Sequence, residues 1–297
     1  MRSLPRPVPA CPPAPGSAAP PRPRSQRLAQ RLSPRLALLL GAVLALLPAG
    51  CGRGAPAGTL ERIRERGALV IATEAEFRPF EWVEPSGKVV GFDIDLAEAV
   101  AEGLGVRLEV RNVKFDSILS ELRQGLADLV VSGMTVTPER AQSVRFSQPY
   151  FFTVTALLLN RASAGTVAAA GELDDPARTV AVKEGTTGEQ SARKMLPRAR
   201  IVSHKTENGA ALDVAEGRAD AFLYDLHSVE QHHAQHPERT VLLRTPVTVE
   251  AYAIAGRLED SELMARVDAT LEAMRKDGRL AALKARHGPT GSIEAPR

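Results

Sequence analysis

The 297-residue sequence predicts an α/β protein of two α/β lobes joined by a two-strand hinge. Three observations carry this. Between residues 60 and 132, continuous apolar runs alternate with stretches whose apolar residues recur every three or four positions, the patterns of strands buried on both faces and of amphipathic helices. That alternation breaks at Pro149 and restarts at Thr179. A short motif also repeats: Gln124-Gly125-Leu126-Ala127-Asp128 precedes Leu129-Val130-Val131 as Glu216-Gly217-Arg218-Ala219-Asp220 precedes Ala221-Phe222-Leu223.

Taken in order, Thr59–Arg66 reads as a short helix with Leu60 and Ile63 on one side, and Leu69–Thr73 as a buried strand. A helix follows from Gly91, with Leu96, Ala97, Val100 and Leu104 on its stripe, Asp93 as its cap and Gly103 or Gly105 as its stop. A strand at Arg107–Val113, a helix at Asp116–Gln124 and a strand at Asp128–Ser132 complete the first series, and strands alternating with helices predict a parallel sheet. Tyr150–Leu159 is rich in aromatic and β-branched residues, and Arg161–Gly171 has no strong period. The second series then runs Thr179–Val182 strand, Gly188–Leu196 helix, Arg200–His204 strand, Glu207–Gly217 helix, Ala219–Tyr224 strand, His227–His236 helix and Val241–Leu243 strand. Ala251–Ala255 reads as a strand, Asp260–Asp277 as a helix stopped by Gly278, and Arg279–His287 as a last helix. If this tail returns to the first lobe, the chain crosses twice, near 148–155 and 244–251, and two antiparallel crossings make a hinge. The expected divisions are a leader at 1–50, a tether at 51–58, lobe 1 at 59–150 and 251–288, lobe 2 at 151–250, and a disordered tail at 289–297.

Charge separates the leader from the rest. Residues 1–50 hold seven Arg and no Asp or Glu, which leaves 31 basic against 35 acidic residues and a formal charge of −4 beyond them. Basicity confined to the leader argues against a nucleic-acid partner. Leu36–Leu47 is uncharged and mostly apolar, too short for a permanent membrane span and suited to a secretory signal. Pro48-Ala49-Gly50-Cys51 resembles the lipobox of bacterial lipoproteins, which implies lipidation of Cys51 and an exported protein anchored in the membrane through its N-terminal lipid, in the periplasm or at the cell surface. An ordinary signal peptide with an incidental Cys is the alternative. Cys11 would leave with the leader, so no internal disulfide is expected.

The stretch Ser132-Gly133-Met134-Thr135-Val136-Thr137-Pro138-Glu139-Arg140 carries the candidate chemistry. An apolar strand ends in small residues, Gly133 leaves the backbone open to a ligand, Thr135 adds a hydroxyl, and Arg140 offers a planar fork of donors suited to a carboxylate. The segment reads as a turn entering a helix, and a Thr-capped helix with a solvated Arg fits the same residues.

Four stretches in order resemble the bacterial solute-binding proteins of family 3, the amino-acid-binding components of ABC transporters with the type II periplasmic-binding fold. They are Ala72 to Glu81, Val90 to Leu96, Ser132 to Arg140 with Phe146-Ser147-Gln148-Pro149-Tyr150, and Val182-Lys183-Glu184-Gly185-Thr186-Thr187-Gly188, and the likeness covers about 60–288. The resemblance implies that Arg140 holds the α-carboxylate of a free amino acid with help from Thr135, Thr186 and Thr187. It implies that Asp225 takes the α-ammonium along with the carbonyl of Gly133 or the hydroxyl of Ser132. Such ion-paired bonds contribute roughly 1.5–3 kcal/mol each. Phe77 and Phe115 would be aromatic walls, Glu74 an acidic side-chain contact and Lys183 a polar contact from lobe 2. Core packing of the two Phe residues and a mutual surface ion pair of Lys183 with Glu74 are the structural alternatives. The implied protein is a monomer without a cofactor that closes on its ligand and delivers it to an ABC permease.

Three other classes find partial support in particular residues. His232 and His236 stand four apart on one helix, a possible metal edge, but with no Cys or paired carboxylate nearby they read as a solvated face. Cyclohexadienyl (arogenate/prephenate) dehydratases resemble the same family, and on that reading Glu189 would be the proton donor. A receptor-kinase sensor module would require a transmembrane helix and a signalling domain after residue 290.

Overall fold

In lobe 1 the turns between elements fall on glycine. The computed structural model describes residues 58–288 and Ile293. The leader, the tether and Cys51 lie outside the described residues, as does the expected disordered tail apart from Ile293. Helix α1 (Thr59–Arg66) ends on Gly67 at φ 69, a left-handed conformation that costs little only without a Cβ. The chain turns there into β1 (Ala68–Thr73), buried along its whole length. Short strands β2 (Glu76–Phe77), β3 (Glu81–Val83) and β4 (Val89–Val90) form a small antiparallel sheet. Strands of two or three residues carry no periodicity, and the sequence reading passed over them.

Helix α2 (Phe92–Leu104) starts at Gly91 and stops at Gly105, which takes φ 73. Asp93 does not cap it: no side chain bonds the helix start, and the Asp93 carboxylate turns inward to Gly133 and Tyr150. Strand β5 (Arg107–Asn112), helix α3 (Ile118–Arg123), and strands β6 (Leu129–Val130) and β7 (Arg145–Phe146) follow. The helix expected after Pro138 is absent. Between Thr135, which bridges to Tyr252, and β7 the chain has room only for turns and a 3-10 turn at Arg140–Gln142.

Lobe 2 comprises β8 (Phe151–Asn160), β9 (Thr179–Lys183), α4 (Thr187–Met195), β10 (Arg200–His204), α5 (Glu207–Ala215), β11 (Ala221–Asp225), α6 (Leu226–Gln235) and β12 (Thr240–Leu243). The chain returns through β13 (Val249–Tyr252) to β14 (Ala255–Gly256), α7 (Ser261–Lys276) and α8 (Arg279–His287) in lobe 1. Sheet order is β5-β1-β6-β14-β7 in lobe 1 and β10-β9-β11-β8-β12 in lobe 2. Only the β5-β1-β6 and β10-β9-β11 portions are parallel. The expected parallel sheets are therefore mixed, because β8 enters lobe 2 antiparallel to β11 and β14 re-enters lobe 1 antiparallel to β6.

The repeated Ala-Asp motif proves structural. Asp128 accepts from the N–H of Val70 at 2.9 Å and pairs with Arg66, while Asp220 accepts from the N–H of Thr179 at 2.8 Å and from Arg178 at 2.8 Å. In each lobe the carboxylate ties the entry of one strand to the start of its neighbour. The return of the chain is fixed by buried Arg257, which donates to the carbonyls of Leu122 and Ala127 and pairs with Asp260.

The two crossings, β8 and β13, pair antiparallel from Val154 opposite Val249 to Phe151 opposite Tyr252. The N–H of Ile293 donates to the carbonyl of Phe152 on this ribbon. At its lobe 1 end the rings of Phe151 and Tyr252 stack at 5.8 Å, and Phe80 packs against both. His227 from α6 of lobe 2 enters this cluster edge-on, 4.6 Å from Phe77 and 4.9 Å from Phe80, with neither ring nitrogen bonded. Burial alone pushes His227 down to about 3. His232 also departs from the expected solvated face: it is buried against Phe222, and burial is the main cause that brings it to about 4. Among the described residues no cluster of three potential metal ligands occurs, and no helix is long and apolar enough to cross a membrane.

Two outcomes follow. Asp128→Ala leaves the Val70 N–H and the strand entry without an acceptor and is expected to cost about 2 kcal/mol in urea denaturation. His227 is held neutral in the fold, so its contribution is whole above the unfolded value near 6.5 and drains as pH falls toward 3. Stability measured against pH should therefore fall less steeply below about 6.5 in His227→Leu than in the wild type.

Candidate functional site

The strands of both sheets end at the seam between the lobes, where open α/β sheets bind ligands. β1 ends next to Glu74, β6 runs into Ser132 and Gly133, β9 ends on Lys183, and β11 ends on Asp225. Together they bound a cleft between the lobes. Lobe 1 lines it with Glu74, Phe77, Glu81, Phe115, Ser132, Gly133, Thr135 and Arg140, and lobe 2 with Lys183, Thr186, Thr187, Tyr224 and Asp225. Each site residue expected from the sequence stands in this lining. Glu81 and Tyr224 were missed, although Glu81 sits inside a quoted stretch and Tyr224 directly precedes Asp225.

Arg140 is fixed from both lobes. Its guanidinium donates to the carbonyl of Thr135 at 2.9 Å and to that of Gly185, in lobe 2, at 3.1 Å, and it lies 5.4 Å from the Phe115 ring centre. Burial lowers its pKa, which Glu250 and Asp225 partly offset, and an arginine this basic stays charged. Gly133 takes φ 50, and a Cβ there would meet Phe77 Cε1 at 2.6 Å, so this turn against Phe77 needs glycine.

Across the cleft, the Thr186 hydroxyl donates to the carbonyl of Lys183 at 2.7 Å and accepts from the Glu189 N–H at 3.3 Å. It caps α4, and Thr187 opens the helix whose first N–H groups lack partners within it. Asp225 is buried, and burial with the nearby Glu250 raises it to about 8 while the Tyr252 hydroxyl works the other way. A carboxyl in that state gains from an approaching cation, which lets it ionise.

Glu74 and Lys183 line the cleft and also form an ion pair, which is not at the surface as the structural alternative had it: the side chains are 3% and 2% exposed and come from opposite lobes. The Lys183 ammonium also lies 5.8 Å from the Phe115 ring and 5.9 Å from that of Tyr224. The Ser132 hydroxyl is committed within lobe 1, donating to Glu81 at 2.7 Å and accepting from the Glu74 N–H at 3.0 Å. Further contacts join the lobes at the rim, with Lys205 on Asp116 at 2.9 Å and Gln231 on the carbonyl of Arg78 at 3.2 Å.

Glu189 is outside the lining and fully engaged. It accepts from the Gly185 N–H, the Ser203 hydroxyl and Arg193. Burial opposes its charge, yet these bonds outweigh it and hold the carboxyl below its ordinary value.

Known proteins share both the sequence and this architecture. The L-cystine-binding protein TcyJ of Escherichia coli is 27% identical over 229 residues, covering 77% of this chain and 85% of the relative. The putative ABC transporter arginine-binding protein 2 of Escherichia coli is 30% identical over 213 residues, covering 70% and 85%. The crystal structure of the ancestral amino acid-binding protein AncCDT-1, described as a precursor of cyclohexadienyl dehydratase, is 37% identical, with a TM-score of 0.71 and coverage of 78% of this chain and 99% of that one. The sequence motifs, the two-lobed type II periplasmic-binding fold and a family-model match over residues 69–290 agree: the chain belongs to the bacterial extracellular solute-binding proteins, family 3.

Proposed function

We propose that this protein captures a free polar amino acid between its lobes and delivers it to the permease of an ABC transporter, working as a monomer tethered outside the cytoplasm by a lipid on Cys51. The observation that carries the reading is the placement of Arg140 and Asp225 in one buried cleft, a cation and a carboxyl from opposite lobes. An α-amino acid presents the complementary pair, a carboxylate for Arg140 and an ammonium for Asp225. Thr135, Thr187 and the backbone around Gly133 complete the cage. Closure brings the lobe 2 groups onto a ligand seated on lobe 1, and the differential contacts of the closed form shift the balance between open and closed.

Glu74 and Lys183 set the side-chain preference. Paired, they present a surface that both accepts and donates, which suits a neutral polar side chain such as an amide. Phe77, Phe115 and Tyr224 cover its methylene stem. A binding role is supported over the dehydratase reading by Glu189, whose carboxylate is held ionised away from the cleft lining rather than as a proton donor.

A thermal-shift screen of the twenty amino acids, ornithine, arogenate and prephenate tests the reading. One amino acid or a related group should stabilise the fold by about 2.7 kcal/mol at a hundred times its dissociation constant, without being consumed. Accumulation of phenylalanine or phenylpyruvate would instead make it an enzyme. Arg140→Ala should abolish binding, at a cost of about 3–5 kcal/mol for a carboxylate buried without its partner; near-normal affinity in calorimetry would remove Arg140 from the site. Lys183→Met leaves the buried Glu74 charge without its closest cation and is expected to turn preference toward arginine or lysine by about tenfold relative to glutamine, roughly the worth of one charge-assisted hydrogen bond.

A further inference from the structure

At the back of the cleft lobe 1 buries two carboxyls, Glu81 in the lining and Asp93 outside it. Glu81 on β3 and Asp93 in the first turn of α2 are both fully buried. Each uses one oxygen on the turn that faces the ligand. Glu81 Oε1 accepts the Ser132 hydroxyl at 2.7 Å, and Asp93 Oδ2 accepts the Gly133 N–H at 2.7 Å and the Tyr150 hydroxyl at 2.6 Å. The other oxygens, Glu81 Oε2 and Asp93 Oδ1, are buried without a partner, and the two carboxyls are neighbours: they bond the adjoining residues Ser132 and Gly133, and the Asp93 N–H donates to the carbonyl of Phe80, next to Glu81.

Two ionised carboxylates facing each other in a dry core repel strongly, whereas one proton between them satisfies both orphan oxygens. We propose that Glu81 and Asp93 form an acid–carboxylate pair sharing one proton, and that this pair positions the Ser132–Gly133 turn for ligand capture. Burial, then the neighbouring Asp93, pushes Glu81 up; burial pushes Asp93 up to about 6, against the bonds from Tyr150 and Gly133. The other groups that act on the pair are few. Lys183 on β9 favours charge on Glu81 and Glu74 opposes it, His287 at the end of α8 favours charge on Asp93, and Tyr150 is held neutral by its own burial and by Asp93.

The consequence for binding follows from Gly133. Its left-handed turn is pressed against Phe77, and the two carboxyls fix the residues on either side of its peptide. With both carboxyls ionised, mutual repulsion would strain the bonds that hold the Ser132 hydroxyl and the Gly133 N–H, and binding would have to take the proton back. Affinity then falls with rising pH as the pair ionises. Glu81 and Asp93 are thus positioning residues, acting through the turn.

The test rests on the amino-acid-binding reading and separates its failure from that of the pair. In the full chain, Glu81→Gln and Asp93→Asn each place an amide N–H where the shared proton lies. Affinity for the probe with the largest thermal shift among L-glutamine, L-arginine, L-histidine and L-cystine is measured by calorimetry from about pH 6 to 9.5. Asp93→Asn, outside the cleft lining, should bind within about threefold of wild type at low pH, and the advantage of either amide variant over its own low-pH ratio should grow by about tenfold per pH unit once the wild-type pair ionises. Urea denaturation without ligand over the same range should show the wild type losing stability relative to Glu81→Gln as pH rises, the direction required of carboxyls whose folded values are raised. An affinity ratio that stays flat with pH overturns the positioning role, and no difference in the ligand-free series overturns the pair itself. Loss of folding in both amide variants also overturns it, since an amide reproduces the proposed bond. If no probe binds, the amino-acid reading fails and the ligand-free series still decides the pair.

Discussion

Burying charge between two lobes is the constraint on which the rest of this structure depends. An unpaired ion in a closed cleft costs several kcal/mol, so each charge that the cleft encloses has to find compensation from one lobe or the other. Arg140 finds it in carbonyls of both lobes, Lys183 in Glu74, and Asp225 by being raised to about 8 so that it holds a proton at neutral pH. The architecture around them serves this need: strand ends from two sheets converge, glycine admits backbone where a side chain would clash, and lobe 2 carries the partners of lobe 1.

The same constraint explains the composition of the joint. At the lobe 1 end of the crossing ribbon the packing is almost wholly aromatic, with Phe80, Phe151 and Tyr252 in mutual contact and His227 held neutral among the rings. Neutral His227 adds no charge to the cluster that would have to be re-paired when the lobes move. Ionic contacts are instead placed in the cleft and at its rim, as with Lys205 and Asp116. Domain closure can then be governed by what the cleft holds, which is the physical requirement for a ligand to shift the equilibrium.

Much of the fold was legible because long elements advertise themselves. Apolar runs and three-to-four spacing marked β1, β8, β9, α2 and α7, and glycine marked the ends of the two helices. The exceptions are short or shared. β2 to β4 have no period, and the segment after Pro138 has helix-compatible residues but is confined between the bridge of Thr135 to Tyr252 and β7. Asp93 illustrates the limit best. A carboxylate near a helix start has a local role available, yet here it is drawn to Gly133 and Tyr150, partners 40 and 57 residues away.

By itself the sequence determined the two-lobed α/β order and the Ser132–Arg140 turn, which are local features, while its resemblance to a known family supplied the other residues expected at the cleft. Tertiary structure alone decided what each polar group does there. It made Glu74 and Lys183 a buried pair, spent the Ser132 hydroxyl on Glu81, turned His232 into the core and drew Glu189 into its own network of bonds. Type and spacing tell which groups a residue can bond. Which partner it takes once water is excluded depends on what the rest of the chain brings within about 3 Å.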